Sequence, residues 1–217
     1  MTSDRARRLP RLQVLFLALA ALAFGYVEGA VVVYLRAVAY PAGFAFPLAD
    51  MGPFLIAVEV GREAATLLLL LGLAWVAAPD GRRRFAAFAL AFAVWDLAYY
   101  ATLKGLLGWP ASWLDWDVLF LIPAHWIAPV LAPVLVSAAL LGASLVWLLP
   151  GPRGAPRLRA RDWAVEILAG ALVLASFFAE SGAVMAGGAP GGYPWWLFLT
   201  GWGLGVAWFL RASLRGG

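Results

Sequence analysis

Apolar runs long enough to cross a bilayer recur six times along the chain, each closed by a short polar, proline- or glycine-bearing stretch. They cover about residues 12–34, 54–78, 85–107, 117–149, 163–185 and 195–210. About twenty apolar residues carry a helix across the hydrocarbon core. The pattern therefore predicts an all-α, polytopic membrane bundle of six transmembrane helices, forming a single domain over residues 1–217. The fourth run is too long for one straight span, and Pro123, Pro129 and Pro133 interrupt it. Proline in a helix interior removes a backbone donor and clashes with the preceding turn. A short outer piece over Asp117 to Leu121, a broken linker from Pro123 to Pro129 and a helix down to Leu149 are expected. Gly108-Trp109-Pro110 ends the third run, as glycine and proline should. No inverted repeat is visible.

The basic residues orient this bundle. Four arginines precede the first run, three (Arg82, Arg83, Arg84) lie between the second and third, four (Arg153, Arg157, Arg159, Arg161) between the fourth and fifth, and two follow the sixth. With six spans, all of these fall on one side. Positive residues favour the cytoplasmic side, so both termini are expected in the cytoplasm. Arg5, Arg7, Arg8 and Arg11 ahead of an apolar run also fit a signal peptide, with Gly29-Ala30 as a cleavage site. The run continues through Val31-Val32-Val33 to spanning length, so the first helix is expected to be retained.

Composition narrows the chemistry. The chain is 64% hydrophobic and 13% charged, with a mean hydropathy of +0.86, far from a soluble domain. It has no cysteine and one histidine, which excludes disulfides, cysteine-ligated metals, bis-histidine haem and HExxH zinc sites. The basic excess belongs to topology and implies no nucleic acid. Membrane lipids are the expected partners.

Most of the ionisable groups left within the predicted spans gather in one half of the bundle. At ~1.5 Å rise per residue, Glu28, Glu59, Arg62, Glu63, Asp96 and Lys104 lie between the midplane and the outer surface, as does Arg36. By contrast, 67–76, 85–94, 136–149 and 167–177 carry no charge. Glu59, Arg62 and Glu63 share one helical face at i, i+3 and i+4, as do Asp96, Tyr99 and Tyr100, with Lys104 one turn further. Charges in hydrocarbon are costly and commonly functional. Glu59, Glu63 and Asp96 are therefore the candidate acid/base or catalytic carboxylates. Arg62, Lys104, Tyr99, Tyr100, Glu28 and Trp113 are candidate substrate-binding groups. Carboxylates with the single imidazole of His125 would suit Mg²⁺, Mn²⁺ or Ca²⁺, making Glu59, Glu63, Asp96 and His125 candidate metal ligands.

Each has a plainer alternative. The charges could form a structural ion-pair network, with Glu28 pairing Arg62 or Arg36. His125 could simply face water, and Asp115 and Asp117 could cap the fourth helix. Trp109, Trp113, Trp116, Trp195 and Trp196 fit an outer aromatic belt. Gly201 and Gly205 form a GxxxG spacing that fits close packing within the chain or a homodimer.

The runs FGYVEGAVVVYLR, EVGREAATLL, WDLAYYATLKGLLGWP, WDVLFLIP and PVLAPVLVS resemble an uncharacterised family of bacterial integral membrane proteins. The resemblance spans the first four helices and implies a bacterial inner-membrane setting, with no activity attached. Together these readings lead us to expect an outward-facing polar pocket for an amphiphilic, lipid-linked or anionic ligand, with a membrane-embedded enzyme as one use of it. A small ion- or proton-coupled transporter and an accessory subunit of a membrane complex are the alternatives.

Overall fold

The computed structural model describes residues 9–149, 156 and 158–215. Arg5, Arg7, Arg8, Arg153 and Arg157 of the orientation argument lie outside the described residues. The described chain forms α1 (Arg11–Ala39), α2 (Gly52–Ala77), α3 (Gly81–Leu107), β1 (Trp116–Phe120), β2 (Trp126–Pro129), α4 (Leu131–Leu148), α5 (Ala160–Phe178), α6 (Ser181–Met185) and α7 (Trp195–Leu214). Among the described residues five helical stretches are long and apolar enough to cross a membrane: α1, α3, α4, α5 together with α6, and α7. This is the make-up of a multi-pass membrane protein. The remaining long helix, α2, has 26 residues and carries Glu59, Arg62 and Glu63.

The ends of the helices follow from local chemistry. Asp80 caps α3, accepting the Arg83 N–H at 3.0 Å. Gly108, at φ +67°, closes α3 in the left-handed region open to glycine. Pro133 falls in the first turn of α4, where backbone N–H groups have no helical partner to lose.

One sequence expectation is corrected here. Asp117 to Leu121 is not a helical piece: Trp116–Phe120 and Trp126–Pro129 pair antiparallel, with Asp117 opposite Ala128 and Val118 opposite Ile127. Val118, Phe120, Trp126 and Ile127 favour a pleated, half-buried strand, while Pro123 and Pro129 cannot donate helical hydrogen bonds. The pairing satisfies the backbone without a helix. The expected fifth helix likewise divides into α5 and α6, with Ala179 and Glu180 between them.

Within the bundle, α3 is the hub, packing on α1, α2 and α4, while α5 pairs with α7. The α1–α3 contact is the closest: a Cβ on Gly29 would sit 2.7 Å from the Thr102 side chain, and one on Gly25 would strike Ala98 and the Trp95 carbonyl. Small residues at this spacing let backbones approach where lipid gives no hydrophobic drive. Gly201 packs against α5 in the same way, its Cβ position 2.8 Å from the Ala169 carbonyl. Gly205 also faces α5, its Cβ position 3.4 Å from the Ala169 side chain.

The arginine-bearing helix ends meet on one side. Phe85 lies 5.4 Å from Trp163, and Trp147 lies 6.3 Å from Phe209, ring to ring. This joins the start of α3 and α5 to the end of α4 and α7. Arg215 and Asp162 add an ion pair there at 3.6 Å. Leu70, Ala74, Ala87, Leu90 and Leu148 make the adjoining core.

Candidate functional site

At the opposite end of the bundle the charged positions of α1, α2 and α3 converge on one cavity of about 710 Å³. Glu28 and Arg36 reach it from α1, Glu59, Arg62, Glu63 and Thr66 from α2, and Asp96, Tyr99 and Tyr100 from α3. Asp117, Phe120, His125 and Trp126 come from the hairpin, Ser137 from α4 and Phe177 from α5. The rest of its wall is largely apolar. The volume is in the range of pockets that take drug-sized ligands.

The polar wall is organised as three groups. In the first, Arg62 donates from Nη1 to Glu28 Oε2 and from Nε to Glu59 Oε2 at 3.0 Å, and Thr66 donates to Glu28 Oε1 at 2.7 Å. The second joins Arg36 and Asp117 at 3.2 Å, with the Tyr100 hydroxyl donating to the other Asp117 oxygen at 3.0 Å. The Arg36 guanidinium also lies over the rings of Phe44 and Trp109, at 4.3 and 3.8 Å. The third contains the two buried cavity carboxylates without an ion-pair partner among the described residues. Glu63 accepts the Leu121 N–H at 2.8 Å, and Asp96 accepts the Ser137 hydroxyl at 2.7 Å.

Two of these groups also build the site's roof. Asp117 ties β1 to α1 and α3, and Glu63 ties the end of the same strand to α2. The hairpin is thereby suspended over the pocket by buried polar contacts, which lose most when one partner is missing.

Of the expected binding groups, Glu28, Arg62, Tyr99 and Tyr100 line the cavity, as do the candidate carboxylates Glu59, Glu63 and Asp96. Lys104 and Trp113 do not. Lys104 Nζ donates to the carbonyls of Gly108 and Pro110, at 3.1 and 2.8 Å, closing the end of α3. Trp113 is exposed. His125 lines the cavity, and burial holds its imidazole pKa below the ordinary value. Among the described residues no three His, Asp or Glu side chains come together in a group able to hold a metal ion.

Asp117 is not a helix cap but the partner of Arg36. Asp115 accepts the N–H groups of Ala111 and Ser112 and so caps a turn before β1. Of the tryptophans assigned to a belt, Trp113 and Trp196 are exposed, while Trp109 covers Arg36 and Trp116 and Trp195 pack on Tyr193.

Sequence reasoning missed Thr66 and Ser137. Thr66 lies at i+3 from Glu63 and i+4 from Arg62, a spacing that marks the same face. Ser137 sits in an unbroken apolar run, and only the fold brings it to Asp96.

The cavity stops well short of the arginine end. Its lining reaches no further than Thr66 on α2, Phe92 on α3, Ser137 on α4 and Gly170 on α5. Below lie about ten residues of each helix, or ~15 Å of packed bundle. The exposed rim includes Ile56 of α2, Gly170 and Leu174 of α5, and Met185 of α6, all apolar. No protein family, curated protein or solved structure matches this chain.

Proposed function

We propose that this chain is an inner-membrane protein of six spans with both termini cytoplasmic, which binds an amphiphilic or lipid-linked ligand in a pocket opening toward the outer side. The observation that carries this reading is the cavity at the end of the bundle away from the arginine clusters at the helix ends. Intramembrane ionisable groups from three helices and the hairpin line it, beside a largely apolar wall. A polar pocket with a greasy wall and an apolar rim suits a molecule having both characters. The ligand's chain reaches the pocket sideways, past Ile56, Gly170 and Leu174, and its head meets the polar wall.

The packed floor speaks against a continuous path across the bundle, and so against simple through-transport. Both guanidiniums at the pocket are already paired, and Lys104 is used at the end of α3. This disfavours the anionic class of ligand. An enzymatic role for the same pocket would fall to Glu63 and Asp96 as proton-handling groups.

Native mass spectrometry of the purified protein tests the reading. We expect one amphiphile to remain on the chain after the detergent shell is stripped, and to be lost in a folded Leu174→Trp variant that fills the pocket. A chain that carries no amphiphile, or carries it equally well in that variant, would remove the proposal.

A further inference from the structure

We infer that the head group taken by this pocket is a cation, so that the ligand is a cationic amphiphile. The inference rests on the amphiphile-binding reading above and specifies its chemistry.

Charge comes first. Six carboxylates line the cavity, Glu28, Asp50, Glu59, Glu63, Asp96 and Asp117, against two guanidiniums, Arg36 and Arg62. The arginines are bound to Glu28, Glu59 and Asp117; Asp50 lies at the exposed rim, and Glu63 and Asp96 are left without an ion pair among the described residues. Both are more than nine-tenths buried. Each commits one oxygen, Glu63 to the Leu121 N–H and Asp96 to the Ser137 hydroxyl. The second oxygen of each takes no hydrogen bond from a described residue. Carboxylates acquire such partners where they can, and here the open side is the cavity.

The wall beside them is aromatic. The rings of Phe92, Trp95 and Phe120 lie 5.5 to 6.5 Å apart, centre to centre, and Phe120 lies 5.3 Å from Trp126. Trp95 directly precedes Asp96, and Phe120 directly precedes the Leu121 that anchors Glu63. Aromatic faces attract cations, more strongly once water is excluded. A phosphate or sulfate head would instead meet two acids without an ion pair and two arginines already bound to carboxylates, although Arg36 Nη1 is buried without a hydrogen bond among the described residues. A cation occupying this site competes with protons for Glu63 and Asp96, so its binding weakens as pH falls.

Tetraphenylphosphonium and tetraphenylborate share one shape and carry opposite charge, and triphenylphosphine oxide supplies a neutral relative. Their affinities for the full chain in a neutral detergent are read by calorimetry and by quenching of tryptophan fluorescence. We expect the phosphonium to bind at least about tenfold more tightly than the borate. Lower pH, Glu63→Gln and Asp96→Asn should each weaken it, and Lys104→Gln should not. Equal or tighter binding of the borate overturns the inference on the unaltered chain, even if the variants fail to fold. A lipid retained in the mass spectrum with no preference for the phosphonium sinks the cationic head and leaves the amphiphile pocket standing. Loss of both removes the pocket reading as well.

Discussion

Arg36 Nη2 lies 3.2 Å from Asp117 Oδ1, joining residues 81 positions apart and holding the hairpin against α1. Both side chains are almost fully buried, and the guanidinium is sheathed by Phe44 and Trp109. Removing one member of a buried pair strands the other, typically costing about 3–5 kcal/mol. Arg36→Gln and Asp117→Asn should each lower the melting temperature sharply. The double variant should be less destabilised than the two single effects added together. A double-mutant cycle in one detergent measures this; strictly additive losses would show that the two residues act separately.

The approach of α1 to α3 gives a steric prediction. A side chain at Gly29 meets Thr102 at 2.7 Å, and one at Gly25 strikes the α3 backbone. Gly25→Val should therefore be the more damaging change, because backbone cannot turn aside, and each should cost on the order of 1–3 kcal/mol or more from overpacking. Gly72, where a Cβ meets nothing within 4 Å, is the matched control: Gly72→Val should leave the melting temperature nearly unchanged.

How much of this was legible in the chain depends on the range of the interaction. The long apolar runs could be read because bilayer thickness sets a length that any spanning helix must meet. The clustering of charge could be read because helical rise converts sequence position into depth. The hairpin could not, since its prolines and aromatics suit a broken helix as well as a strand, and only the pairing of Val118 with Ile127 decides between them. Lys104 misled for a related reason. Its position one turn above Tyr100 places it near the pocket, yet the carbonyls exposed at the end of α3 are nearer and claim its ammonium. Asp96 and Ser137 meet only after α3 and α4 have packed.

Asp80 gives a pH dependence outside the membrane-spanning helices. Its hydrogen bond from the Arg83 N–H, followed by those from the Arg83 side chain, holds its carboxyl below the ordinary value. A depressed acid stabilises the fold above the unfolded carboxyl value near ~4 and loses that contribution as pH falls through the lower, folded value. Asp80→Ala should cost about 1 kcal/mol at neutral pH. Asp80→Asn should keep most of the cap while flattening the decline on the acid side. Thermal unfolding followed from neutral to acid pH compares the three chains, and an unchanged acid slope in the Asn variant would exclude Asp80 as its source.

The rim of the cavity predicts how a ligand arrives. Gly170 lines the pocket yet is exposed on α5, and a Cβ there would meet nothing within 4 Å. Gly170→Trp can therefore be accommodated without disturbing the packing, while its ring lies across the approach from the lipid side. Obstruction of a passage slows association and dissociation together, whereas loss of a contact acts chiefly on dissociation. Stopped-flow fluorescence should accordingly show slower binding and slower release of an amphiphile by a similar factor, with little change in affinity. If release alone accelerates, Gly170 belongs to the binding surface itself; if neither rate changes, the ligand enters at the hairpin end, past Asp50 and Gly187, where the rim is also exposed.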